Sequence, residues 1–237
     1  MRIFPTNLFL LGLVMWGSAA SVFAADLKQL DERVRTLTSK LETMQQRTDK
    51  AIPADVLRKA QGLILLDRTK AGFIFGYQGG GGLALVKDTK KNTWGPVAFL
   101  GASEASLGVQ IGGEQDFYAI LLMNAEALKM LTEPNFQFGG EAQGSAGDSA
   151  GRAAGDVTAP EQSVVIYDLH KGLYGGAVIK GGSLSPDIQA NNLYYGQAVT
   201  MKDILFDSKV KPTETATALA KQIESFSKAP DDSKTKK

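Results

Sequence analysis

From Gly62 onward, glycine cuts the chain into short apolar runs, and no other feature constrains its fold as much. Gly62–Leu66, Gly72–Tyr77, Gly82–Lys87, Trp94–Leu100, Leu107–Ile111 and Phe117–Met123 follow one another, and Ser163–Asp168 and Gly172–Lys180 resume the texture later. Runs of roughly four to eight residues bounded by turn formers are strands, because a stable helix needs a longer periodic stretch. Glycine makes up 26 of 237 residues, well above the usual share of about 7%. In strands it permits bulges, tight turns and close backbone approach. These features predict an α+β fold: a glycine-rich, mostly antiparallel curved sheet or a partly closed barrel, with flanking helices.

An internal echo bears on symmetry. Leu65-Leu66-Asp67 before Lys70-Ala71-Gly72-Phe73 resembles Ile166-Tyr167-Asp168 before Lys171-Gly172-Leu173-Tyr174. Two copies would make a domain of two pseudo-repeated halves.

The helical segments have different signatures. Leu27, Leu30, Val34, Leu37, Leu41 and Met44 recur at alternating spacings of three and four. That is an amphipathic, heptad-like helix over 25–50. Its stripe suits packing on the domain, pairing with a second helix (another envelope protein or a second copy), or lying on a membrane. Pro53 opens a short helix from Ala54 to Ala60. Asn124 caps one running to about Leu131, ahead of Pro134. A short helix surrounds Asp203, and another starts after Pro212 with Ala216, Leu219, Ile223 and Phe226 on one face. Residues 139–159 carry Gly, Ala and Ser without periodicity and read as a mobile loop. The polar end after Pro230 reads as a disordered tail. The expected organisation is a signal peptide over 1–24, the helix over 25–50, a β-rich domain over 51–208, and a C-terminal helix and tail over 209–237.

The signal peptide rests on Arg2, the apolar run Leu8–Trp16, and Val22-Phe23-Ala24 as a small-residue cleavage site. Its alternative is a retained anchor. The chain has no cysteine, which excludes disulfides, thiolate metal sites and a cysteine nucleophile. Export without disulfides fits a periplasmic or secreted location.

Charge matters here through its distribution. Residues 25–100 carry 13 basic and 8 acidic side chains, whereas 101–200 carry 4 and 11. Nucleic-acid binding requires a strong basic excess over the whole domain, so that class is excluded. A positive first part suits an anionic membrane or an acidic partner. Lys87, Lys90 and Lys91 surround a predicted hairpin tip where they can meet headgroups together. Arg68 and Lys70 are secondary candidates.

The chemistry-bearing residues do not converge on catalysis. His170 is the only histidine, and it reads as a turn residue beside Asp168. Gly147-Asp148-Ser149-Ala150-Gly151 matches a nucleophile-elbow pattern, but no apolar strand leads into it and the chain lacks alternating strands and helices. Gly79–Gly82 is followed by strand texture, which argues against a phosphate loop. Glu114 and Asp116 are too few to define a cation site. No metal or cofactor is indicated, and the chain is not expected to be an enzyme.

One residue order carries a resemblance. Ile52-Pro53, Ala60-Gln61-Gly62, Lys70-Ala71-Gly72-Phe73, Gly82, Trp94-Gly95-Pro96, Gly108-Val109-Gln110-Ile111-Gly112, Gly151-Arg152, Lys171-Gly172-Leu173-Tyr174-Gly175-Gly176, Asn191, Tyr195-Gly196 and Ile204-Leu205 together resemble the SYLF domain over about residues 50–206. The resemblance implies a lipid-binding domain. Eukaryotic relatives associate with phosphoinositide-containing membranes, and some bind or bundle actin, often beside an SH3 or FYVE module. An exported member would meet neither cytoplasmic actin nor phosphoinositides, which leaves an anionic phospholipid or membrane surface as the expected partner.

Overall fold

A computed structural model describes residues 16–67, 81–88, 90–102, 117–137, 163–170, 172–174 and 183–228, with backbone alone for 16–25, Leu173, Tyr174 and Ser183. Among the described residues nine strands form one sheet: β1 (Gly62–Asp67), β2 (Gly81–Asp88), β3 (Thr93–Trp94), β4 (Ala98–Ala102), β5 (Phe117–Leu122), β6 (Phe136–Gln137), β7 (Val164–Asp168), β8 (Gly172–Tyr174) and β9 (Ser183–Pro186). Their order is β6-β9-β4-β2-β1-β5-β7-β8, with β3 pairing β2 beside that path. Every pairing is antiparallel. Among the described residues the sheet is open, so the expected antiparallel sheet is present and the partly closed barrel is not.

The strands read as unbroken apolar runs because both faces of the sheet are covered. Leu63, Leu65, Leu83, Leu85, Phe99, Phe117, Ala119 and Leu121 point to one face. Ile64, Leu66, Ala84, Val86, Leu100, Ile120 and Leu122 point to the other. The first face carries α1 (Trp16–Gln45), α2 (Ala54–Lys59), α4 (Ile188–Tyr195) and α6 (Glu214–Ser227). The second carries α3 (Ala125–Lys129), the following 3-10 turn at Met130–Thr132, and α5 (Met201–Leu205). Three layers enclose two cores. At Gly82 a Cβ would stand 2.5 Å from the Leu65 carbonyl oxygen of the neighbouring strand, so only glycine fits that pairing.

The apolar stripe of α1 meets its own domain. Val34, Leu37, Leu41 and Met44 are at most 1% exposed, with Leu30 partly buried beside them. Polar contacts fasten the same helix along its length. Arg33 donates to the Leu100 carbonyl at 2.7 Å and the Gly82 carbonyl at 3.2 Å, Lys40 meets Asp67 at 2.6 Å, and Arg47 reaches the Leu169 carbonyl at 3.1 Å. Asp31 accepts from Thr215 (2.6 Å) and Tyr194 (3.2 Å), joining α1 to α6 and α4. From Leu30 to Met44 the stripe is therefore occupied inside the chain. α1 also starts before the expected mature terminus, at Trp16 rather than 25.

One local reading changes, and three elements appear that were not expected. The run Trp94–Leu100 is two strands, because Gly95-Pro96-Val97 breaks it and proline has no N–H for a ladder. α4 lacks a clear apolar stripe; caps fix it instead, with Asp187 accepting from the Ala190 amide and Gly196 at φ 64 closing its end. β6 and β9, two and four residues long, exist through their neighbours alone. The expected capped helix at Asn124 is present, its side chain accepting from the Ala127 amide. The echo segments flank β5 on both sides, with Asp67 opposite Phe117 and Asp168 opposite Tyr118. The expected strands Gly72–Tyr77 and Leu107–Ile111, the continuation of β8 to Lys180, the loop 139–159 and the tail after Pro230 lie outside the described residues.

Candidate functional site

β2 and β3 form a hairpin, pairing Lys87 with Trp94 and Asp88 with Thr93. Its tip is shaped by Asp88, whose Oδ1 accepts from the backbone N–H groups of Lys90 (2.9 Å) and Lys91 (3.2 Å). Asn92 completes the turn at φ 54, a left-handed conformation that asparagine tolerates. The Lys91 and Lys90 amides and the Lys91 ammonium hold the Asp88 carboxyl below its ordinary value. The turn thus displays Lys90 and Lys91 in solvent; Lys91 Nζ stands 3.7 Å from Asp88 with its side chain 78% exposed. An exposed pair of this kind is worth at most about 1 kcal/mol and leaves the lysine available.

Lys87 is different. Its ammonium reaches across to α2 and donates to the Arg58 carbonyl at the end of that helix, at 3.0 Å. Burial pushes its pKa down, Glu224 opposes that shift, and Arg58 adds to it. Arg58 in turn donates to the Ser227 carbonyl at the end of α6, at 3.5 Å. Helix C-termini expose unsatisfied carbonyls and the negative end of the helix dipole, so cations gather there. Lys59, 60% exposed and 3.7 Å from Asp55, ends α2, and Lys228 caps α6. The hairpin and the C-terminal ends of α2 and α6 are therefore linked, and together they carry six basic side chains (Arg58, Lys59, Lys87, Lys90, Lys91, Lys228) and three carboxylates (Asp55, Asp88, Glu224).

All three expected lysines stand on the β2–β3 hairpin, Lys90 and Lys91 exposed at its turn and Lys87 engaged with the Arg58 carbonyl. Arg68 and Lys70 lie outside the described residues, as do Ser149, Glu114 and Asp116. Sequence reading missed Arg58, Lys59 and Lys228. The basic last turn of α2 was the available signal for the first two. His170 is an exposed turn residue whose backbone N–H donates to Asp168 Oδ1 at 2.7 Å. Among the described residues no group of three or more histidine and carboxylate side chains could hold a metal ion. None of their helices is long and apolar enough to cross a membrane.

The family model described as "Ysc84: Las17-binding protein actin regulator" matches residues 103–226, just over half of the chain. The chain belongs to the Ysc84 family. The SYLF resemblance carried by the residue order is to this same family. LAS seventeen-binding protein 3 of Saccharomyces cerevisiae is 31% identical over 181 residues, covering 75% of this chain and 39% of the relative. Protein YSC84 of the same yeast is 32% identical over 181 residues, covering 75% and 38%. SH3 domain-containing YSC84-like protein 1 of Xenopus laevis is 29% identical over 207 residues, covering 85% and 61%. The chain thus spans from about two fifths to about three fifths of these Ysc84-family relatives. The matched family range begins after the hairpin and ends before Lys228, so the basic corner is built from residues on both sides of it.

Proposed function

We propose that this protein is an exported, non-enzymatic binding module that associates with an anionic lipid or membrane surface through its hairpin corner. The observation that carries this reading is the surplus of exposed cations at Lys90 and Lys91, held forward by the Asp88 turn. Membership of a family described as actin regulators supports a binding role over a catalytic one. With its stripe buried, α1 gives no support to a scaffold that works through residues 26–50. Export follows from the signal-peptide pattern and places the lipid in an envelope or extracellular setting.

Magnitudes decide how such a surface works. Each basic residue near an anionic membrane contributes on the order of 1 kcal/mol, so Lys90 and Lys91 give about 2 kcal/mol, weaker than the millimolar range. Attachment is therefore weak, reversible and sensitive to salt. The test is co-sedimentation of the protein with phosphatidylcholine vesicles and with vesicles containing phosphatidylglycerol, at low and high salt. Binding to the anionic vesicles alone, lost at high salt, is expected. Equal binding to both kinds, or to neither, overturns the reading. The amino-terminal sequence of the secreted protein tests export separately, with Ala25 expected first.

A further inference from the structure

Three hairpin lysines are too few for stable attachment, and one of them is engaged with the Arg58 carbonyl. The geometry points to a composite contact surface in which Lys59 at the end of α2 and Lys228 at the end of α6 act with Lys90 and Lys91, while Lys87 and Arg58 are positioning residues that hold the three elements in register. This deepens the lipid reading and rests on it. It assigns the contact to four cations from three separate elements, and it names an extended anionic surface, rather than a single phosphate, as the matching ligand.

The division follows from where each cation's hydrogens go. Lys87 donates to the Arg58 carbonyl and Arg58 to the Ser227 carbonyl, so these two link the hairpin to α2 and α2 to α6 in sequence. An anion drawing either of them away would uncover a helix-terminal carbonyl, which opposes their use as contact groups. Lys90 and Lys228 form no ion pair among the described residues. Lys59 and Lys91 have only loose, exposed pairs at 3.7 Å with Asp55 and Asp88. Those four can turn to a headgroup without undoing the fold. They stand at a hairpin turn and two helix ends that the two carbonyl links keep together, so the backbone positions of the cations are held before the surface is met.

The experiment compares variants of the whole protein on phosphatidylglycerol-containing vesicles, with urea unfolding as the control for folding. Lys59→Gln with Lys228→Gln is expected to lower binding about tenfold, as Lys90→Gln with Lys91→Gln does, with the urea midpoint lowered only slightly by the loss of cations at helix C-termini. Lys87→Met is expected to lower the urea midpoint and to weaken binding, and Lys87→Arg, which keeps a donor for the Arg58 carbonyl, is expected to restore both. If the Lys59 and Lys228 pair can be neutralised within about twofold of wild-type binding while the Lys90 and Lys91 pair cannot, the composite surface is wrong and the lipid reading stands. If the wild type ignores anionic vesicles, both fall together.

Discussion

Two corners of the molecule carry lysines in similar density, and their carboxylates divide them. Around α5, Lys202 meets Asp207 at 2.5 Å, Lys209 meets Asp203 at 2.5 Å, and nearby in the same layer Lys129 meets Glu126 at 2.8 Å. Each ammonium there has a carboxylate of its own, and Asp203 also closes a capping box with Thr200. The hairpin corner carries six cations and three carboxylates, and its ion pairs are 3.7 Å apart. The α5 corner uses its charges to shape a turn, and little field extends from it. The hairpin corner satisfies two helix ends and still presents surplus positive charge to solvent. A count of lysines along the sequence does not separate the two, because the separation lies in the pairing.

The largest change to this comparison comes from the frame that both corners share. Leu41 lies at 0% exposure between α1 and the first core. Leu41→Ala is expected to cost about 2–5 kcal/mol, from lost burial plus the cavity left behind. Urea unfolding measures it. The loss should appear as one cooperative transition, because α1 is fastened to β1, β2, β4, α4 and α6. A variant that loses less than about 1 kcal/mol would show α1 to be an appendage whose stripe is open to other partners after all.

The second effect is selective. Lys90→Glu with Lys91→Glu is expected to weaken attachment to anionic vesicles by about 2 kcal/mol or more, since two attractive charges become repulsive. Lys202→Glu with Lys209→Glu changes the formal charge by the same amount and is expected to change binding by less than about 0.5 kcal/mol, while lowering stability through like charges facing Asp207 and Asp203. Co-sedimentation and urea midpoints read the two quantities separately. Equal losses of binding from both pairs would mean that net charge alone governs attachment, and the contrast between the corners would carry no functional meaning.

Much of the frame was legible, and its limits have physical causes. β1, β2, β5 and β7 announced themselves because burial on both faces makes a strand apolar throughout, but that same uniformity hides which side each residue faces. The stripe Val34-Leu37-Leu41-Met44 was plain, yet its spacing is the same whether the partner is a second helix or the sheet of its own domain. α4 escaped because its position comes from Asp187 and Gly196 rather than from periodicity. At the site, proximity in sequence brought out Lys87, Lys90 and Lys91. Nothing along the chain shows that Lys87 turns back to a helix carbonyl, or that residues as distant as Lys59 and Lys228 arrive at the same corner. Those facts belong to tertiary packing, where each cation's partner is chosen.

The smallest expected effect separates the corners by acid. The Asp203 carboxylate accepts from Lys209, from the Thr200 hydroxyl at 2.7 Å and from the Thr200 amide at 2.9 Å. These contacts hold its pKa well below the ordinary value of 3.8, with Lys209 the largest cause. A carboxyl depressed in the folded state contributes stability that is fully present above its ordinary value and lost as pH falls through the folded one. Thr200→Ala removes the hydroxyl from both sides of the capping box and is expected to cost about 1 kcal/mol near neutrality. The gap between wild type and variant should stay constant from pH 8 to pH 5 and narrow below the ordinary carboxylate range, as the acceptor protonates. Vesicle binding by the same variant should match wild type throughout pH 5–8, because the α5 corner works on the fold and the hairpin corner on the surface outside it. A Thr200→Ala protein that kept its stability but lost its vesicles would reverse those two assignments.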